Sequence, residues 1–290
     1  MSHDDYGWQT HSIENGFLRL DFLTDAGPRI VRLFLRDRAE NWLAEVPDKK
    51  VTTALGDYFF YGGHRLWYAP EKMPQTYQPD NTPVHIEPLT DGVSLHQPPE
   101  PLTGIRKHIE IHLHAGHAAL TLSHHIENAG TQSIELAPWA ITQLKLGGMA
   151  ILPQTIGAVD THGFLPNRNV VLWSYTRLND PRLELRDQVI RVHARAQLPP
   201  CKVGCLNQRG WLAYWHDNSV FVKRFAPQPD VSHPDLNCNA EVYCNDEFIE
   251  LETLAPMVRL VPGARVTHNE TWEFYSNITL ADLDEWVNRG

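Results

Sequence analysis

This 290-residue chain has no long apolar run, no excess of basic residues and no paired-cysteine motif. No stretch approaches the ~18 consecutive apolar residues of a membrane-spanning helix, so the expectation is a soluble protein. The opening MSHDDYGWQT carries neither a basic nor an apolar leader region, and no secretory signal is read there. Lysine and arginine total 25 against 35 aspartates and glutamates, a formal net charge of −10. Nucleic acid and anionic membranes both need a basic patch, so neither is expected as the main partner. The cysteines are only four (Cys201, Cys205, Cys238 and Cys244), none at CxxC spacing. They read as packing thiols in a reducing compartment, with the cytoplasm as the default location. No Walker motif, dinucleotide fingerprint or nucleophile elbow is present.

What the chain does have is alternation. FLRLDFLT, RIVRLFL, KHIEIHLH, AALTLSHHIEN, QVIRVHA, GWLAYWH, SVFVKRF and FIELETL all repeat with period two, between turn segments such as TDAG, ENAGTQS and VPGA. Twenty-one prolines and 18 glycines interrupt the chain often enough to favour many short strands. Only the tail, TLADLDEWVNRG, has a helical stripe (Leu280, Leu283 and Trp286), with Thr279 or Asp282 as cap. The Pro-rich span from Tyr68 to Pro101 reads as a long ordered loop over a sheet. With no composition break, linker or repeat, the expected architecture is all-β: one large antiparallel β-sandwich of two stacked sheets, ending in a short helix, as a single domain over 1–290.

The stretch NAEVYCNDEFIELETL concentrates the chemistry. A two-residue turn at Asn245–Asp246 would pair Tyr243 with Phe248, Glu241 with Glu250 and Asn239 with Glu252. One face is then apolar (Ala240, Val242, Ile249 and Leu251), and the other sets Asn239, Glu241, Glu250 and Glu252 beside the rings of Tyr243 and Phe248. Like charges opposite each other on paired strands are destabilising. Such a face is either solvated surface or the acidic wall of a site, where carboxylates accept hydrogen bonds from sugar hydroxyls and rings stack on their C–H faces.

FIELETLAPMVRLVPGARVTHNETW resembles the C-terminal signature of the galactose mutarotase-like (aldose 1-epimerase) superfamily, in which a LET strand carries the catalytic glutamate ahead of an L-x-PG turn. YGGHRLWYAPE is similar to a glycine-rich segment of the same superfamily. With LAPWAITQL, PNRNVVLWSYT and PDLNCNAEVYCNDEFIELETL, it looks closest to an uncharacterised bacterial DUF4380-type group. The resemblance spans about Phe17 to Phe274. It implies a mutarotase-like supersandwich, a small-molecule carbohydrate as partner, and Glu252 as general base for an isomerase that exchanges sugar anomers. One position departs from the pattern: Trp139 stands where the epimerases have their histidine acid.

A replacement acid is therefore sought in His64, between Gly63 and Arg65, with His162 and Lys223 as weaker candidates. Arg65 suits a bidentate clamp on a carboxylate, phosphate or sugar diol, or an ion pair with Glu71. Trp67 and Trp139 are candidate stacking platforms, and Gln143, Lys223, Asn239, Glu241, Tyr243 and Glu250 complete the expected substrate-binding set. His108, Glu110, His112 and His114 share one strand face, but positions two apart on a strand lie ~6.5–7 Å from each other. A solvated outer face is expected there, and no metal. No cofactor is expected, although the glutamate cluster offers oxygen ligands of the kind Ca²⁺ prefers. A non-catalytic sugar-binding protein, or a lyase or hydrolase on the same scaffold, remain the alternatives.

Overall fold

The computed structural model describes residues 6–154 and 156–289, with side chains up to Val287. The first large sheet runs β1 (Thr10–Glu14), β2 (Leu18–Leu23), β3 (Arg29–Leu35), β6 (His64–Ala69) and β11 (Ile134–Leu144). It continues through β20 (Ile249–Leu254), β19 (Ala240–Cys244), β16 (Cys201–Cys205) and β13 (Val171–Leu172), while β21 (Val258–Leu260) pairs with β11. The second sheet runs β14 (Leu183–Leu185), β15 (Val189–His193), β12 (Met149–Pro153), β17 (Trp211–His216) and β18 (Ser219–Phe225). Beyond β18 lie β22 (Arg265–Ser276), β10 (Ala119–Asn128), β9 (Ile105–Leu113), β8 (Gly92–His96) and β7 (His85–Leu89). A separate antiparallel ribbon joins β4 (Glu45–Thr53) to β5 (Gly56–Gly62). The all-β sandwich expected from the alternation is what forms. No helix among the described residues is long and apolar enough to cross a membrane.

Period-two patterning decides which side chains meet. Leu20, Leu66, Val242 and Leu251 from the first sheet pack against Ile109, Ile111, Leu122 and Phe221 from the second in one continuous core. Each such side chain contributes ~1.5–3 kcal/mol when withdrawn from water. All four cysteines are free and buried, consistent with packing thiols.

Three local expectations need correction. The Pro-rich span after Tyr68 contains the β7–β8 hairpin. It is tethered by buried Glu100, which pairs with Lys107 at 2.7 Å and accepts from Gln78 Nε2 at 2.8 Å. The β19–β20 connection is a four-residue turn rather than a two-residue one. Asn245 Oδ1 accepts from the backbone N–H groups of Glu247 and Phe248, at 2.8 and 2.9 Å, an Asx turn that this residue type favours. Pairing therefore shifts by two residues, to Glu241 with Glu252 and Tyr243 with Glu250. A two-residue shift leaves every side chain on its expected face. In the C-terminal helix Leu283–Arg289, Thr279 and Asp282 do bond reciprocally at the start. Leu283 and Val287 are the residues that pack, while Leu280 is exposed.

Gly62 and Gly63 make the crossing from ribbon to sheet possible. Their φ angles are +99° and +67°. A Cβ on either would sit 2.0 Å from a backbone oxygen, of Ala44 for Gly62 and of Ile30 for Gly63. The close approach these glycines allow is to the protein's own backbone, not to a ligand.

Candidate functional site

The face of the first sheet turned away from the core carries a cavity of about 210 Å³. Strand register builds it. Arg65 and Trp67 on β6 lie opposite Ile141 and Trp139 on β11. On β11's other side, Ile141 and Gln143 lie opposite Glu252 and Glu250 of β20. Tyr243 of β19 faces Glu250, and Lys202 of β16 faces Tyr243. The β4–β5 ribbon adds Lys49 and Phe60, and the loops add Glu71, Tyr77 and Tyr175.

Aromatic rings form most of the wall. Trp67 packs edge-on against Trp139 and Tyr77 at centroid distances of 5.5 and 5.0 Å. Its indole N–H donates to Tyr58 Oη at 2.7 Å, which fixes the ring's pose. Across the cavity, Tyr243 contacts Tyr175 and Phe248.

Two charged groups occupy the floor. In the first, Glu250 Oε1 accepts from Arg65 Nη2 at 3.0 Å and from Gln143 Nε2 at 2.9 Å. Burial pushes the Glu250 carboxyl above its ordinary range despite the opposing pull of Arg65. Arg65 lies 4.3 Å from the Trp67 ring centroid, and its Nε and Nη1 are buried without protein partners. Both donors are unsatisfied within the protein.

The second group is centred on Lys202, whose ammonium sits 2.7 Å from Glu241 and 2.9 Å from Glu252. The rings of Trp139 and Trp173 flank it at 4.7 and 4.5 Å. Trp139 Nε1 donates to the same Glu252 oxygen at 2.7 Å, so an N–H donor occupies the position of the expected histidine acid. Both carboxylates are fully buried. One ammonium cannot balance two of them. Burial works to lower the lysine, but the two glutamates more than offset it and hold Lys202 well above its ordinary value. Burial pushes Glu241 well up in spite of Lys202. Gly204 opposes Glu241 in the register; a Cβ there would come within 3.0 Å of the Glu241 side chain, so the glycine makes room for the buried acid.

Of the residues expected from sequence, Arg65, Trp67, Trp139, Tyr243 and Glu250 line the cavity. Glu241 and Glu252 lie behind Lys202, and Gln143 lies behind Glu250. His64, Lys223 and Asn239 lie elsewhere. His64 neighbours Arg65 on β6, so it points to the opposite face, into the layer between the sheets. There it meets Thr142 at 2.9 Å and His124 at 2.7 Å. Lys223 belongs to the second sheet and pairs with Glu270 at 3.0 Å, not with the β20 glutamates. Asn239 binds the backbone of Asn207 in both directions. His162 is an exposed loop residue beside Phe164.

Lys202 lines the cavity although no motif points to it. Its signal was the alternation within CKVGC, where Cys201, Val203 and Cys205 face the core and Lys202 the other way. Tyr77 and Tyr175 reach the cavity from loops, where no period places a side chain.

No family model matches the chain, and no curated protein matches it in sequence. Solved structures do match. A TPR-domain containing protein from Parabacteroides distasonis superposes with a TM-score of 0.65 at 16% identity, over 94% of this chain and 48% of that one; the chain thus spans about half of that protein's length. A protein named "putative aldose 1-epimerase" from Escherichia coli K12 gives 0.57 at 13% identity, over 93% of this chain and 100% of its own. A galactose mutarotase-like protein from Lactobacillus casei gives 0.56 at 11% identity, over 92% and 100%. At such identities the likeness shows the fold alone, and that fold is the galactose mutarotase-like β-sandwich.

Proposed function

We propose that this protein is carbohydrate-active and exchanges the anomers of a monosaccharide-scale sugar in the manner of an aldose 1-epimerase. The observation that carries the reading is the pair Glu250 and Glu252, two residues apart on the cavity side of β20, beneath an aromatic wall. A cavity of about 210 Å³ is small for a drug-sized ligand and suits a single sugar ring. The nearer likeness to the bacterial DUF4380-type group belongs to the same proposal.

In this mechanism Glu252 is the base and Glu250 the acid. Glu252 has one oxygen engaged by Lys202 and Trp139, and its other oxygen has no partner. That second oxygen takes the proton of the C1 hydroxyl. Glu250, whose carboxyl burial favours the protonated form, gives its proton to the ring oxygen. The bond between C1 and the ring oxygen breaks as C1 becomes a carbonyl, and rotation about C1–C2 presents the other face. On closure the freed ring hydroxyl attacks the carbonyl and gives its proton back to Glu250, while Glu252 returns its proton to the C1 oxygen, so both carboxyl groups regain their starting states. A carboxyl that burial keeps protonated suits the acid's role, and each positioned proton-transfer group is worth ~10²–10⁴-fold. Arg65 binds hydroxyls through its free donors, and Lys202 supplies the positive charge that Ca²⁺ would otherwise bring. Lys202 covers Glu252, so its side chain must swing aside as the sugar enters.

That cover supports a second reading, a sugar-binding protein without catalysis, in which Lys202 and Trp139 keep Glu252 occupied. Magnetisation-exchange NMR on a panel of free aldoses, with calorimetric titration of the same sugars, separates the two. Anomer exchange that falls ~10²-fold or more in Glu252→Gln and Glu250→Gln supports the enzyme. Binding without exchange supports the second reading. Exchange by Glu252→Gln as fast as wild type removes the assigned base.

A further inference from the structure

The other side of the sandwich holds an unassigned cluster. On β9, residues two apart are too far from each other to share an ion comfortably, which is why the sequence pointed to a solvated face there. The sheet changes this by adding neighbours. His125 of β10 lies directly opposite His108, and His96 of β8 lies on its other side, at cross-strand separations of ~4.5–5.5 Å between Cβ atoms. The rings stack, with centroids 4.7 Å apart for His96 and His108 and 4.1 Å for His108 and His125. His108 and His125 are only 6% and 7% exposed, so the expected solvated face is in fact half sealed.

Glu110 reaches both imidazoles. Its Oε1 lies 3.9 Å from His108 Nε2, and its Oε2 lies 3.7 Å from His125 Nε2. These separations are too long for hydrogen bonds. His125 Nδ1 is engaged by Thr267 Oγ1 at 2.8 Å, while its buried Nε2 has no hydrogen-bond partner. Buried polar atoms are nearly always satisfied. This one is aimed at a carboxylate, with a second imidazole alongside, and the three ligand atoms lie within 4.8 Å of one another.

We propose that His108, Glu110 and His125 form a binding site for a divalent transition-metal ion of the Zn²⁺ class. Two imidazole nitrogens and a carboxylate oxygen are a donor set zinc takes, with water completing the tetrahedron. Zn–N and Zn–O bonds of ~2.0–2.2 Å place ligand atoms about 3.3 Å apart, so atoms now within 4.8 Å of one another close by up to ~1.5 Å, with the stacked imidazoles turning toward a common point as the ion enters. Thr267 acts as the orienting partner that metal-bound histidines commonly have. Glu110, about one-third exposed, provides the entry path. The site would fasten β9 to β10 and, through Thr267, to β22. The other histidine cluster, His64, His124 and Glu270, is already served: Lys223 lies 3.0 Å from Glu270, and the two imidazoles bond each other.

The test uses Zn²⁺ and the full chain after chelator treatment. Calorimetry at pH 7.5 is expected to find one equivalent bound by wild type. His108→Gln and His125→Gln should each weaken it at least ~100-fold and Thr267→Val ~10–100-fold, with His162→Gln, on an exposed loop elsewhere, unchanged. Anomalous scattering at the zinc edge from wild-type crystals should place the ion among His108, Glu110 and His125, and this holds even where a variant folds poorly. Zinc found only at other positions, no stoichiometric binding by wild type, or equal affinity in His108→Gln and His125→Gln would overturn the proposal.

Discussion

Lys202→Met offers the sharpest test of the cavity floor. The substitution keeps an unbranched apolar stem between Trp139 and Trp173 but deletes the ammonium that stands 2.7 Å from Glu241 and 2.9 Å from Glu252. Both carboxylates are fully buried, so neither can recruit water in its place. Removing one partner of a buried ionic group costs about 3–5 kcal/mol, because a charge is left uncompensated. For 290 residues, an unfolding entropy of ~2.1 cal/mol/K per residue gives ~0.6 kcal/mol per degree, so Tm should fall by about 5–8 °C. The loss should depend on pH. Without the lysine that opposes it, burial and repulsion from Glu252 raise the Glu241 carboxyl further in the folded state, so the folded form binds more protons than the unfolded chain. The deficit is then largest at pH 8 and shrinks as pH falls through the raised value toward the ordinary carboxylate range. Glu241→Gln on the Lys202→Met background should recover much of it, since the two changes share one site and do not add. Thermal and urea unfolding at pH 8 and pH 5 would decide. A variant within about 1 kcal/mol of wild type at pH 8, or an equal deficit at both pH values, refutes the uncompensated-charge account.

His64→Ala should cost about 2–4 kcal/mol, since it opens a cavity and removes the partner of Thr142 Oγ1 and of His124 Nε2, whose Nδ1 keeps its bond to the His268 carbonyl. Sugar affinity and anomer exchange per folded molecule should not change; a folded variant that has lost sugar binding would contradict the placement of this side chain between the sheets. The wild-type protein should also lose stability below pH 6.5. Burial holds His64, His124 and His233 below their ordinary range and His268 down to about 3. The unfolded chain therefore takes up more protons at these four as pH falls through 6.5. Glu241 and Glu250, raised by burial, act in the opposite direction but are fewer. Urea midpoints measured from pH 7.5 to 5 should decline, and a rising midpoint would show that the carboxyls dominate.

Much of this was legible because the alternation is strict. The β20 pattern of Ile249, Leu251 and Thr253 against Glu250 and Glu252 assigns faces whatever the pairing, and so the wrong turn length left every face correct. Pairing itself was less legible, because Asn245 can close either a two-residue turn or the Asx turn it adopts. His64 was misplaced although its period was available. Its neighbour Arg65 belongs to the cavity, and adjacent residues on a strand cannot both face the same side. The two glycines before it suggested an approach to ligand, yet their positive φ serves the crossing of the chain over Ala44 and Ile30. Contributions from loops, such as Tyr77 and Tyr175, carry no period and could only be found in three dimensions.

The same alternation sorts the ionisable groups into separate chemical settings. Outward from the first sheet, Arg65, Glu250 and Lys202 meet a cavity and retain unused donors or perturbed acids. Between the sheets, His64 bonds Thr142 and His124, while Thr253 bonds His268 and Glu270, and Glu270 pairs with Lys223. A polar network buried that deeply is tolerable only when its members are satisfied, and it gains nothing by meeting solvent. On the outer face of the second sheet, His108 and His125 stack beside a carboxylate, and one buried nitrogen is left without a partner. Burial alone does not distinguish the three settings, since all include fully or nearly sealed side chains. Arg65 Nε and Nη1, Glu252 Oε1 and His125 Nε2 are among the buried atoms without a protein partner. Each such atom costs about 1–3 kcal/mol, and a sugar in the cavity or an ion at the histidine cluster, as proposed above, would offset part of that cost.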